Sequence, residues 1–153
     1  MGSRLNRLPD WQKKLNIVFD TYEYTDFQWG KSDCWCFVAD CLKAMTGTDI
    51  ISHIRGIYDT EEKAYEFLKN GTICNDNKYY NYHDEVGFFN QYLGKEKNIG
   101  GIFTGDVCLV KLPLVKNLIA GVVNDTGRYL YLQSFKDNLV EVPVNKAKHI
   151  WGI

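Results

Sequence analysis

The spacing of apolar residues changes at Gly100 and Gly101, and that change limits the folds open to the chain. Upstream, apolar side chains recur every three or four residues, the repeat that builds one face of a helix. Downstream, "DVCLVKL", "LIAGVVND", "RYLYLQSF" and "LVEVPV" are short, rich in β-branched and aromatic residues, and separated by turn signals such as "NDTG" and "KDN". Helices followed by an antiparallel meander make an α+β arrangement, N-terminal helices packed on an antiparallel β-sheet. Roughly four to six strands are expected, the usual size of such a sheet. The terminal "HIWGI" can supply the last strand. No repeat, low-complexity tract or linker divides the 153 residues, a length that suits one domain with its own core.

Within the helical half, "LPDWQKKLNIVFDTY" predicts a first helix with Pro9 early, Asp10 available as a cap, and Trp11, Leu15, Val18 and Phe19 at helical spacing. "CWCFVADCLKAM" predicts a second, with Cys34, Phe37, Val38, Cys41, Leu42 and Met45 on one broad stripe and Gly47 at its end. "DTEEKAYEFLKNG" opens on Asp59 or Thr60, carries acidic residues in its first turn and closes at Gly71. A weaker helix, "DEVGFFNQYLG", is expected after an irregular tyrosine-rich loop that starts near Tyr79. The chain thus divides into an N-terminal arm and helix (1–26), a helical part with Cys34 (27–99) and a β-meander (100–153).

Composition gives several function classes no support. Eighteen basic residues face 19 acidic ones, so the charge balance lends no support to a surface dedicated to nucleic acid or anionic membrane. No apolar run approaches the roughly 20 residues of a membrane span. The five cysteines are odd in number, and Cys34, Cys36 and Cys41 crowd into eight residues. Met1 to Asp20 has no continuous apolar stretch, so no secretory signal is expected and a reducing compartment fits best. C-x-C-x4-C on a helix aims Cys34 and Cys36 at different faces, unlike the paired knuckles of structural zinc. No metal and no cofactor is expected; "GGIFTGD" lacks the lysine of a phosphate-binding loop.

The stretch "FQWGKSDCWCFVADCLKAMTG" places Cys34 directly after Asp33, where a glycine turn gives way to a helix. The unpaired N–H groups and positive dipole end of a helix start favour thiolate. Asp33 would cap the turn, and Gly30 would let backbone pass close to whatever approaches the sulfur. The same cysteine opens an apolar stripe, and without an adjacent base a helix-start cysteine is a small buried hydrophobe.

This stretch resembles the motif of NlpC/P60-type papain-like cysteine peptidases, in which an aromatic-x-x-Gly approach leads to Asp-Cys, an apolar helix and a glycine. The order "RLPDWQKKL", "FQWGKSDC", "GTD", "RGIYDTEEKA", "GDVCLV", "AGVVND" and "HIWGI" is still more similar to small bacteriophage tail proteins of that superfamily. The resemblance implies a papain-like fold in which the cysteine starts the helix, a histidine on the second core strand is the general base, and a polar residue on the next strand orients it. Gly105 and Asp106 match the Gly-Asp before the first strand, and Gly121 the glycine after the base. The base position then falls on Ile119 or Ala120, and neither side chain accepts a proton.

Gln133 is the polar residue available for the orienting position; with nothing to orient, it is expected as an exposed strand residue. His53, His83 and His149 are the remaining imidazoles, each expected at the surface or as a cap, with His83 on a loop that could fold over a cleft. The resemblance implies a degenerate protein acting as a structural or assembly component of a phage tail, at the tip, hub or nozzle. Its partners would be other tail proteins, in multiple copies of a symmetric particle, and its location the virion, after synthesis in the bacterial host cytoplasm. An active cysteine peptidase or amidase, with Cys34 as nucleophile and His83 as base, would instead cleave peptidoglycan peptides as the genome enters the cell. An adaptor would use the old cleft to hold a partner chain, with Tyr79, Tyr80 and Tyr82 at the interface. The sequence leaves the order of the arm "MGSRLNRLPDW" open; its arginines and the leucines at 5 and 8 suit a docking arm whose order depends on a partner.

Overall fold

The computed structural model describes residues 5–98, 101–134 and 138–153. Met1 to Arg4 of the arm, Ile99, Gly100, Phe135, and Lys136 and Asp137 of "KDN" lie outside the described residues. The fold is α+β. Helices α1 (Trp11–Glu23), α2 (Cys34–Thr46) and α3 (Glu61–Asn70) come first, followed by the short strands β1 (Thr72–Ile73) and β2 (Tyr79–Tyr80) and helix α4 (Glu85–Leu93). Strands β3 (Val107–Val110), β4 (Ile119–Val123), β5 (Tyr129–Ser134), β6 (Asn138–Pro143) and β7 (Ala147–Trp151) complete the chain.

Local chemistry sets most helix ends. Asp33 and Thr60 accept from backbone N–H groups of the first turns of α2 and α3, as does Asp84 at the start of α4. Asp10 departs from the expected cap: its side chain accepts no backbone bond and lies 3.4 Å from Lys14 Nζ, one turn along. The Leu8 carbonyl closes that end instead, accepting from Trp11 N–H at 3.1 Å. The tyrosine-rich loop, expected as irregular, contains the antiparallel β1–β2 pair, with Ile73 opposite Tyr79.

The main sheet is antiparallel, in the order β6-β5-β4-β3-β7. β3 to β6 form the expected meander, whereas β7 crosses over to the free edge of β3, opposite Trp151 to Val107. One face of the sheet (Leu109, Ala120, Val122, Trp151) meets α1, α2 and α4 in the larger core. The other (Cys108, Val110, Val123, Leu130, Leu132, Ile150) folds around a second, smaller core. α2 is the central helix: Phe37, Val38, Ala39, Cys41, Leu42 and Met45 are fully enclosed, and it packs on both β4 and β5.

The arm from Leu5 onward packs on its own domain. Leu8 N–H donates to the Met45 carbonyl at 2.7 Å. Arg7 reaches the Thr104 carbonyl at 3.1 Å and lies 4.0 Å above the Trp11 ring. Buried Asp106, in the Gly-Asp preceding β3, anchors this end by accepting from Phe103 N–H and pairing with Lys97 Nζ at 2.5 Å.

Candidate functional site

The Asp33-Cys34 turn is built as a closed hydrogen-bonded unit. Asp33 is fully buried. Its Oδ1 accepts from Cys36 N–H at 2.9 Å, and its Oδ2 accepts from Gly30 N–H at 2.8 Å and from the Tyr58 hydroxyl at 2.9 Å. A carboxylate left with fewer donors in such a place would cost several kcal/mol, about the desolvation penalty of a buried charge. Gly30 sits at φ +80°, and a Cβ there would come within 2.1 Å of the Tyr58 carbonyl oxygen. The close approach that this glycine allows is therefore by the chain's own loop rather than by a ligand at the sulfur.

Cys34 follows as the first residue of α2, 5 % exposed. Burial and the neighbouring Asp33 charge push its thiol up to about 12, against the opposing pull of backbone N–H groups of Ala120, Cys34 and Trp35. At neutral pH the sulfur is a protonated thiol. The helix-start effect expected from sequence is present, but desolvation and a carboxylate next door outweigh it.

The sheet distinguishes the two positions at which a base was expected. Ala120 belongs to the core shared with α2 and contributes its N–H to the sulfur's surroundings; Ile119 packs with the second core and also lines the cleft. Ala120 thus meets Cys34 through its backbone N–H, and Ile119 through the shared cleft. β4 and β5 pair with Gly121 opposite Leu132, where the register ends one residue short of Ala120 and Gln133. A Cβ on Gly121 would meet the Tyr131 carbonyl oxygen at 2.7 Å and Leu132 Cδ2 at 2.3 Å, so the glycine lets β5 close on β4.

Gln133 is 1 % exposed, which corrects the expectation of an exposed strand residue. Its Nε2 donates to the Thr25 carbonyl at 2.9 Å, tying β5 to the segment after α1. Its Oε1 is buried without a hydrogen-bond partner. The sequence carries no sign of this bond, which spans 108 positions.

Cys34, Ile119 and Gln133 line one open cleft of about 580 Å³ with Phe27, Trp29 and Tyr65. The β3–β4 loop, Leu112 to Val115, forms its outer wall. That wall was missed in the sequence, where "KLPLVKN" reads only as a connection; the run of apolar residues around Pro113 was its one signal. Among the described residues lining the cleft, none is a histidine.

The three histidines lie elsewhere. His83 is exposed, at φ +69°, with its N–H donating to Asn81 Oδ1 at 3.0 Å. His149 on β7 meets Glu96 at 3.0 Å. His53 differs from the expected surface or capping role: Nε2 lies 3.1 Å from both the Tyr82 and Tyr92 hydroxyls, which also contact each other. Tyr82 is buried, so of the three tyrosines expected at an interface only Tyr79 is well exposed, with Tyr80 between them.

All five cysteines are buried free thiols. Among the described residues no group of three or more His, Cys, Asp or Glu side chains is placed to hold a metal ion, and no helix is long and apolar enough to cross a membrane.

A family model described as Domain of unknown function (DUF6950) matches residues 6–153. The chain belongs to that family, and the match covers both the Cys34 helix and the whole sheet.

Proposed function

We propose that this DUF6950 member is a degenerate papain-like protein of the NlpC/P60 type, working as a structural or assembly component of a bacteriophage tail. The observation that carries the loss of turnover is a cleft around Cys34 whose described lining holds no histidine. A nucleophilic thiol needs an adjacent base or a depressed pKa. Here neither Ile119 nor Ala120 offers a proton acceptor, and the thiol is pushed up to about 12. Support for kinship comes from the placement of Cys34, Ala120 and Gln133 on a helix start and two neighbouring strands, the arrangement that the motif resemblance implies. The tail assignment rests on the ordered motifs from "RLPDWQKKL" to "HIWGI". Other tail proteins would be its partners and the virion its location.

The open cleft favours a second reading, an adaptor that holds a partner chain where a substrate once lay. Its aromatic contacts would be Phe27, Trp29 and Tyr65 rather than the tyrosines of the β1–β2 loop.

Two measurements test the proposal. Alkylation of Cys34, followed by mass spectrometry as a function of pH, should be slow, with no midpoint below about 8.5, the free cysteine value. Fast labelling with a midpoint near neutrality, together with peptidoglycan cleavage that disappears in Cys34→Ala, would restore the enzyme. Proteomic analysis of purified particles made from the genome encoding this chain should detect it as a stoichiometric component; its absence there would end the tail assignment.

A further inference from the structure

We infer that the mouth of the Cys34 cleft is a self-association face, and that the β3–β4 loop of a second copy of this chain occupies it. Leu114, at the tip of that loop, is fully exposed. It sits at φ +65°, a left-handed conformation that a leucine adopts only under constraint. Backbone strain thus holds a large apolar side chain out in water, on the same loop that walls an open cleft lined by Phe27, Trp29, Ile119, Leu132 and Val140.

Knob and hollow stand side by side on one face. A two-fold dimer requires this arrangement, because each copy must present both halves of the contact in one self-complementary patch. Crossing two such loops puts each Leu114 into the other copy's cleft and removes both from water.

The rim beside the cleft carries both signs of charge, as a self-complementary patch requires. Beside the cleft, a second hollow is lined by Thr60, Glu61, Glu62, Tyr65, Lys116 and Asn117. Glu61 and Asn117 bond each other, whereas Lys116 and Glu62 enter no ion pair among the described residues. A two-fold axis through the mouth lets the lysine of each copy face the acidic rim of the other, so one patch supplies both signs.

The inference concerns the same cleft as the structural reading but does not need the loss of turnover, because assembly and thiol labelling are separate readouts. Sedimentation equilibrium of the full chain over about 1 to 100 µM tests it, since self-association follows mass action. The wild type should show a concentration-dependent dimer. Leu114→Glu should stay monomeric throughout with an unchanged thermal midpoint, since the side chain makes no contribution to its own core. Lys116→Glu should weaken the dimer by about tenfold, the scale of a well-placed charge pair, and Glu62→Lys in the same chain should restore it. A wild type that is monomeric at every concentration, or a Leu114→Glu protein that dimerises as tightly, overturns the proposal. So does a Lys116→Glu protein with unchanged affinity.

Discussion

The backbone N–H of Ala120 on β4 bears on the sulfur of Cys34 at the start of α2, while the Ile119 side chain lines the same cleft as the sulfur. The helix-start cysteine is thereby made part of the interface between α2 and β4. Its reactivity is set by that interface and by Asp33, and the helix terminus contributes the smaller share.

If Ala120 occupies the place of a base, Ala120→His should partly restore one. The position is fully buried, so the larger ring should destabilise the fold by about 1–3 kcal/mol, the usual range for overpacking. Alkylation of Cys34 in this variant should acquire a pH midpoint below about 8.5. A labelling profile identical to wild type in a folded protein would mean that residue 120 does not reach the sulfur.

Asp33 should be the most sensitive residue of the turn. Asp33→Ala strands three buried donors, at Gly30, Cys36 and Tyr58, and should cost about 3–5 kcal/mol in a urea titration. Tyr58→Phe removes one of the three bonds and should cost about 1–2 kcal/mol. Equal, small losses in both variants would show that Asp33 is not the hub of the turn.

Gln133 should be nearly replaceable. Gln133→Met gives up the bond to the Thr25 carbonyl but also removes a buried Oε1 that has no partner, so the two effects oppose. The expected change in stability is within about 1 kcal/mol. Gln133→Glu should cost at least about 3 kcal/mol at pH 7, because it asks an enclosed site to hold an unpaired charge. A Met variant as damaged as the Glu variant would show that the amide holds β5 in place.

His53 should make the fold sensitive to mild acid. Its pKa is lowered, chiefly by desolvation among Tyr80, Tyr82 and Tyr92, with Asp76 and Asp49 pulling the other way. A depressed folded pKa means that the neutral imidazole contributes stability above about 6.5, the unfolded value, and that this contribution is lost as pH falls toward the folded pKa. Chemical denaturation of wild type and His53→Gln at pH 7.5 and pH 5 should show the wild type losing more stability on acidification. A parallel decline in both proteins would exclude His53 as the source.

The sequence by itself determined what depends on neighbours along the chain. Thr60, Asp33, Gly47 and Gly71 mark helix ends because a cap acts over three or four residues, and the period change before Asp106 separates helices from strands for the same reason. The Asp33-Cys34 turn and the lack of a proton acceptor at Ile119 and Ala120 were legible on the same grounds. Asp10 shows where this fails: the residue type suits a cap, but the fold turns its carboxylate to Lys14.

Only the tertiary structure decided which core each of Ile119 and Ala120 joins, because a one-residue step along a strand reverses the face and the sequence offers apolar residues at both. It also decided that Gln133 is buried, that Tyr82 belongs to the core, and that β7 pairs with β3 rather than continuing the meander. Each of these depends on contacts between segments far apart in the chain. Whether Cys34 is a thiolate or a thiol depends on the water that those contacts exclude, and exclusion of water belongs to the packed molecule.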